Sequence, residues 1–240
     1  MIPHPEKAHK GGEDASFFST SLLTVADGVG GWADQGVDPA LYSRSIIKAV
    51  SNTFNAAQEK YIKNLKDLVV VSAGQVKVLG SSTLVVAALD PQGTLRTANI
   101  GDSGYLIVRP SGENKFELIF ESKEQTHGFN FPFQIGSSGD SPASAELNSH
   151  ELEKGDIVVL GTDGVFDNID KKEVKAIIEE QIAKGELNPI NIANKIGEKA
   201  FKASLDQNHM SPFAKAAKRY GYRFIGGKSD DITVVVARVV

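Results

Sequence analysis

Cysteine is absent from the 240 residues. That excludes disulfides, thiolate zinc sites and any mechanism built on a cysteine nucleophile, and it leaves the redox compartment unreadable. No apolar run approaches the ~20 residues that a membrane-spanning helix requires, so a soluble chain is expected. Charge of one sign is not concentrated anywhere: 26 basic and 30 acidic residues leave a dispersed net charge of −4. Neutralising nucleic-acid phosphates needs clustered Lys and Arg, so nucleic acid is not an expected partner. No Pro-, Gly- or Ser-rich linker divides the chain, and one domain over residues 1–240 is the expectation. The opening stretch, Met1 to Gly12, has neither a secretory apolar core nor an Arg-rich amphipathic presequence. Either a cytosolic protein or one whose targeting segment lies outside this sequence is expected. Familiar hydrolase motifs are also missing. Neither Gly-x-Ser-x-Gly nor His-Glu-x-x-His occurs, Asp-x-Asp does not occur, and Gly227-Lys228-Ser229 has Tyr222 where a P-loop needs glycine.

What is present alternates apolar runs with turn chemistry. Residues Ala15 to Ala26 suit strands and end at Asp27-Gly28. Asp38-Pro39 supplies an N-cap and a first-turn proline, and Leu41, Ile46, Ile47, Val50 and Phe54 follow at helical spacing, predicting a helix from about Pro39 to Lys63. Lys66 to Leu79 is ambiguous between strand and helix. Ser82 to Leu89, Thr94 to Ile100, Gly104 to Val108 and Phe116 to Phe120 read as a meander punctuated by Pro91-Gln92-Gly93 and Pro110-Ser111-Gly112. Gly136 to Asn148 reads as a surface loop, Asp156 to Thr162 as a buried strand. Helical patterns cover about Lys171 to Lys184, Asn191 to Leu205 and Pro212 to Tyr220, and Ile232 to Val239 closes the chain as a strand. Strands in a meander with helices in separate groups indicate an α+β fold.

One arrangement recurs: acidic residues sit where an apolar strand meets a turn. They are Glu13-Asp14, Asp27-Gly28, Gly101-Asp102, Asp163-Gly164 and Asp230-Asp231. A single Asp-Gly is most simply a turn. As a set, carboxylates at the ends of strands in shared sheets can converge, and they cannot all stay ionised without a cation. Oxygen ligands with no cysteine nearby point to Mg²⁺, Mn²⁺ or Ca²⁺ rather than zinc.

Five segments then resemble, in order, the motifs of protein phosphatase type 2C: Gly12-Glu13-Asp14-Ala15, Ala26-Asp27-Gly28-Val29-Gly30-Gly31-Trp32, Asn99-Ile100-Gly101-Asp102-Ser103-Gly104, Gly161-Thr162-Asp163-Gly164-Val165-Phe166-Asp167 and Lys228-Ser229-Asp230-Asp231-Ile232-Thr233-Val234. Trp32, Gln125 to Asn130 and Met210 to Ala214 are most similar to the mitochondrial subgroup related to T-cell activation protein phosphatase. The resemblance implies a central sandwich of two antiparallel sheets flanked by pairs of helices, with metals in a cleft at one end. It implies a serine/threonine phosphatase acting on phosphoproteins by direct attack of a water or hydroxide bridging two Mg²⁺ or Mn²⁺ ions. It also implies a mitochondrial or other organellar address, with cytoplasm as the alternative. Carried over by position, Asp27 bridges both metals, the Gly28 carbonyl binds one, Asp163 and Asp230 complete the second, Glu13 and Asp14 act through waters, and Asp102 helps form a weaker third site. Asp27 and Asp163 are the catalytic candidates, and Asp230 ranks above Asp231 as a ligand.

Two departures from that family pattern matter. Val29 stands where many relatives carry a histidine proposed as general acid; His127 is a speculative substitute whose simpler reading is an ordinary loop histidine. Where some relatives place a phosphate-binding Arg, this chain offers His9 and Lys10, and Lys cannot clamp phosphate bidentately. Trp32 reads as a packing residue beside the cleft. The competing functions are a catalytically inactive regulatory or binding module of the same fold, and another aspartate-rich metal hydrolase acting on nucleic acid or small phosphoesters. Retention of Asp27, Asp163 and Asp230 favours the active phosphatase.

Overall fold

The computed structural model describes all 240 residues. Strands β1 (Asp14–Phe18) and β2 (Leu22–Asp27) form a hairpin, followed by helices α1 (Pro39–Ala56), α2 (Gln58–Lys63) and α3 (Leu65–Gln75). Then come β3 (Ser81–Ser82), β4 (Leu84–Leu89), β5 (Thr94–Ile100), β6 (Gly104–Gly112) and β7 (Lys115–Glu121). Short strands β8 (Thr126–Gly128), β9 (Phe131–Pro132) and β10 (Ile135–Gly136) precede β11 (Glu146–Glu151) and β12 (Ile157–Gly161). Helices α4 (Asp163–Phe166), α5 (Lys171–Ala183), α6 (Pro189–Ser204) and α7 (Pro212–Arg219) lead to β13 (Val234–Arg238). One sheet has the order β1-β2-β4-β5-β11 and the other β13-β12-β6-β7, with β10-β3 and β8-β9 as small pairs. All ladders are antiparallel.

Side-chain alternation explains why the two sheets stack between helices. Leu23 and Val25 of β2, Val85 and Ala87 of β4, Tyr105 and Ile107 of β6, and Val158 and Leu160 of β12 meet in one core between the sheets. Their neighbours Leu22, Leu84 and Val86 face α1 and α3, while Leu106, Val108, Ile157 and Val159 face α5 and α6. Strands buried on both faces need apolar residues at every position, which is why β4 and β12 read as continuous apolar runs without alternation. Each such side chain contributes ~1.5–3 kcal/mol through burial. The α+β fold and the sandwich flanked by helix pairs match the expectation.

The expected meander is split: β4-β5 and β6-β7 are hairpins in separate sheets, and β5 does not pair with β6, because the chain crosses from one sheet to the other at Gly101 to Ser103. Other differences lie at element boundaries and edges. The helix expected through Lys63 breaks at Ala57, whose φ of −156° and ψ of 61° are not helical; the break lets Tyr61 and Ile62 join the core beside Phe54. The ambiguous segment is helix α3. Asn64 caps it by accepting from the Asp67 amide at 3.0 Å, and Leu65, Leu68, Val69 and Ser72 lie buried on one face. The loop expected at Gly136 to Asn148 contains the start of β11, an edge strand. Its sequence Glu-Leu-Asn-Ser-His-Glu leaves Leu147 exposed, so it carries no strand-like apolar pattern.

Candidate metal centre

Topology gathers the acidic motifs at one end of the sandwich. β2 runs into the site and β1 starts from it, so Asp14 and Asp27 are direct partners across that ladder. β5 ends at Ile100 just before Asp102, β12 ends at Gly161 just before Asp163, and β13 begins after Asp230. Gly28 carries the chain around the corner, bridged to Ser82. A Cβ there would lie 2.6 Å from the Pro39 carbonyl oxygen and 2.8 Å from that of Glu13, so no other residue fits.

Crowding of like charge shows in the titration of the group. Burial, then the charges of Asp14, Asp163 and Asp230, pushes Asp27 well above the carboxylate range. Burial and the charges of Asp231 and Asp230 raise Asp14 to about 8. Asp102 is raised by burial and by Asp163, and Asp230 likewise. Asp163 is also buried, which opposes ionisation, but the Lys228 ammonium holds it below the ordinary value. No group of three or more acidic or histidine side chains is pre-arranged to hold an ion; ammonium groups sit among them instead. Lys228 Nζ lies 2.5 Å from Asp163 Oδ2, 2.8 Å from Asp167 Oδ2 and 3.3 Å from Asp230 Oδ2. Lys7 Nζ lies 2.6 Å from Glu13 Oε2, 3.6 Å from Asp231 Oδ2 and 3.9 Å from Asp230 Oδ1.

Two buried oxygens, Asp14 Oδ1 and Asp163 Oδ1, have no hydrogen-bond partner. Orphaned carboxylate oxygens in a buried acidic cluster are a chemical fit to hard divalent cations.

Several residues take clear roles. Asp231 is 2% exposed, and its carboxylate accepts from the His4 amide at 2.7 Å and the Glu13 amide at 2.8 Å. It is thus engaged by backbone, while Asp230 faces the other carboxylates. Glu13 accepts Lys7 and Lys10, and Lys10 also reaches Asp38 at 3.3 Å. His9 is exposed and bonds the Glu6 carbonyl. Lys7, which sequence reasoning passed over, is therefore the lysine that approaches the Glu13, Asp230 and Asp231 group. Thr162 Oγ1 donates to Asp14 at 2.8 Å. Asp167 was missed as well, although its i,i+4 spacing from Asp163 on a short helix was the available signal. Lys228 offered no signal beyond its place two residues before Asp230. His127 pairs with Asp140 at 3.0 Å and stacks on Phe133. Trp32 is half-buried, and its Nε1 donates to Ser81 Oγ at 2.6 Å.

A cleft of about 950 Å³ opens beside the cluster, with Asp102, Asp163, Asp167, Phe166 and Phe213 in its wall.

The family described as stage II sporulation protein E (SpoIIE) matches residues 19–240. Probable protein phosphatase 2C 80 of Arabidopsis thaliana is 41% identical, covering 99% of this chain and 57% of that protein. The protein phosphatase PTC7 homolog of Xenopus laevis is 36% identical, covering 95% of this chain and 81% of that protein. The photosystem II phosphatase PBCP superposes with a TM-score of 0.89 at 33% identity, covering 100% of this chain and 96% of the other. The catalytic domain of the serine/threonine phosphatase PstP, solved with two manganese ions, shares the fold at a TM-score of 0.62 and 20% identity over 95% and 91% of the two chains. This chain spans about half the length of the first curated relatives it matches. With five ordered acidic motifs at one end of the sandwich and relatives of this identity along its whole length, the chain belongs to the protein phosphatase 2C family.

Proposed function

We propose that residues 1–240 form one catalytic domain that hydrolyses phosphoserine and phosphothreonine in proteins. The observation that carries this is the convergence of Asp14, Asp27, Asp102, Asp163 and Asp230 at one sheet end, with Asp14 Oδ1 and Asp163 Oδ1 buried and unpartnered. Asp27, the Gly28 carbonyl, Asp163 and Asp230 would hold a pair of Mg²⁺ or Mn²⁺ ions. Glu13 and Asp14 would support them, and Asp102 with Asp167 would offer a third position. When bound, paired divalent ions supply a nucleophile at neutral pH and offset charge on the phosphoryl oxygens.

The chain's own residues prepare that site. Asp231 ties the amino-terminal turn to Glu13, and Lys228 keeps Asp163 ionised. Val29 has no ionisable group and so is not the proton donor to the leaving oxygen, and His127 pairs with Asp140. An organellar address, mitochondrial by the subgroup resemblance, belongs to the same proposal and is checked by imaging the tagged full-length protein.

The test is hydrolysis of p-nitrophenyl phosphate and a phosphothreonine peptide with Mn²⁺, Mg²⁺ or EDTA, for wild type and Asp27→Asn. Turnover that needs metal and vanishes in the variant is expected. Folded, metal-supplied protein without turnover would make the binding-module reading the leading one.

A further inference from the structure

The cleft beside the acidic cluster does not end at α7. Through Asp170, Pro212 and Arg219, which line both, it continues into an open depression of about 800 Å³ bounded by Lys215 and Lys218. Charge changes sign along this path. The inner end holds Asp102, Asp163 and Asp167. The outer end holds exposed Lys215, Lys218 and Arg219, with exposed Lys172 on the adjoining cleft wall, and of the neighbouring basic residues only Lys171 is ion-paired, to Glu121. The acid of the depression, Asp170, has a carboxylate oxygen committed to the α5 amino terminus, where it accepts from the Lys172 and Glu173 amides, and Glu124 on the adjoining cleft wall feels the charge of Arg219. Three cations without a salt bridge at one groove end of a chain whose net charge is −4 are not a dispersed surface average.

The groove is also rigidly walled. Ser211 caps α7 through the Ala214 amide and ties it to the Gly226 carbonyl at 2.6 Å. Phe129, between β8 and β9, packs on Phe213 at 4.9 Å and stacks on Tyr222 at 5.0 Å. These contacts fix α7, with Lys215, Lys218 and Arg219 on its open face and Phe213, Ala214 and Ala217 buried.

We propose that this outer end binds acidic residues flanking the phosphorylated residue of a protein substrate, so that acidic phosphopeptides are the preferred class. The inference rests on the phosphatase reading of the inner end. Lys215 and Arg219 are about 6 Å apart along the helix axis, the rise of four helical residues. Two residues of extended peptide span about 6.6 Å, so acids at alternate positions match that pair. Single exposed ion pairs are weak and salt-sensitive, so selectivity comes from several acting together. The basic residues and exposed Tyr220 and Ile225 would also suit an anionic membrane. The peptide is favoured because the cations line the same groove as Asp163 and because Tyr220 packs against Phe129 at 5.5 Å.

The experiment measures fluorescence anisotropy of two labelled peptides carrying a non-hydrolysable phosphonate, one with alternate acidic neighbours and one with neutral neighbours, against metal-supplied wild type. The acidic peptide is expected to bind about tenfold tighter at low salt, with the ratio shrinking as salt rises. In Lys218→Glu/Arg219→Glu, and separately in Lys215→Glu, the ratio should fall toward one. Equal affinities in wild type, or a ratio that survives charge reversal, would overturn the proposal. Equal affinities together with co-sedimentation on phosphatidylserine vesicles would assign the patch to membrane and overturn it too. Absent turnover with a retained acidic preference would sink the phosphatase reading alone, whereas turnover without preference would sink this inference alone.

Discussion

Lys228 sets its ammonium 2.5 Å from Asp163 Oδ2, making a lysine the closest cation to a candidate metal ligand. Its position is built in. The fully buried Asn168 accepts from the Lys228 amide at 2.9 Å and donates to its carbonyl at 2.8 Å, and the ammonium lies 5.1 Å from the Phe213 ring centre. A tethered charge of this kind relieves repulsion among Asp163, Asp167 and Asp230 whenever divalent ions are scarce.

Lys228→Met is therefore expected to destabilise the protein by ~3–5 kcal/mol in EDTA, the usual cost of removing one partner of a buried ion pair. Mn²⁺ should restore much of that loss, because it supplies the missing charge. Thermal melts of wild type and variant, each with EDTA and with Mn²⁺, read the difference. An equal deficit in both conditions would show that the lysine serves packing rather than charge.

Asp230 and Asp231 are adjacent yet should behave oppositely. Asp230→Asn removes one of several mutually repelling carboxylates, so stability in EDTA should stay level or rise while Mn²⁺ affinity falls. Asp231→Asn weakens charged hydrogen bonds from the His4 and Glu13 amides and should cost ~1–3 kcal/mol. Melting temperature and calorimetric Mn²⁺ titration of the two variants separate the roles. Loss of metal affinity confined to Asp231→Asn would reverse the assignment.

The ranking of these two residues as ligands is an expectation from family resemblance, and the structure shows that Asp231 accepts from two backbone amides. Asp27 and Asp163 were legible from the residues themselves, because an apolar run ending in Asp-Gly marks a strand end. Which ends would meet was not, since antiparallel order is set by pairing between distant segments. Lys7 and Lys228 were invisible, and Asp167 was marked only by its spacing from Asp163, for a different reason. A carboxylate capping the end of a four-residue helix and lysines in polar loops look the same in sequence whether solvated or buried. Strand β11 escaped because an edge needs no apolar alternation, and α3 was ambiguous because Val69, Val70 and Val71 suit strands locally while Asn64 caps a helix.

Gly28→Ala tests how tightly the corner after Asp27 is built. The added methyl would meet two backbone carbonyls below 3 Å, and neither can move without shifting α1 or the Glu13 turn. A loss of ~1–3 kcal/mol is expected, as for other overpacked sites, accompanied by weaker Mn²⁺ binding. Calorimetry and chemical denaturation check both parts. An unchanged denaturation midpoint would mean that the corner yields more easily than its contacts imply.

Far from the cleft, Glu179 ties α5 to the edge of the second sheet and gives a pH-dependent test of the packing. Its carboxylate accepts from Lys175 at 2.8 Å and from the Phe116 amide at 3.0 Å, with Lys115 at 3.5 Å. The Lys175 hydrogen bond, then that from Phe116, lowers its pKa from 4.5 to about 2. Between those values the unfolded chain binds a proton that the folded chain does not, so stability rises with pH across this window. The contribution is complete above about 4.5 and is lost as pH falls toward 2. Discounted for solvent screening, it amounts to roughly 0.5–1 kcal/mol. Glu179→Gln should be less stable than wild type at pH 7, and the gap should narrow at pH 3 and close only as the pH falls to about 2. Urea midpoints at both pH values measure it, and a gap independent of pH would remove the charge from the explanation and leave only the lost geometry.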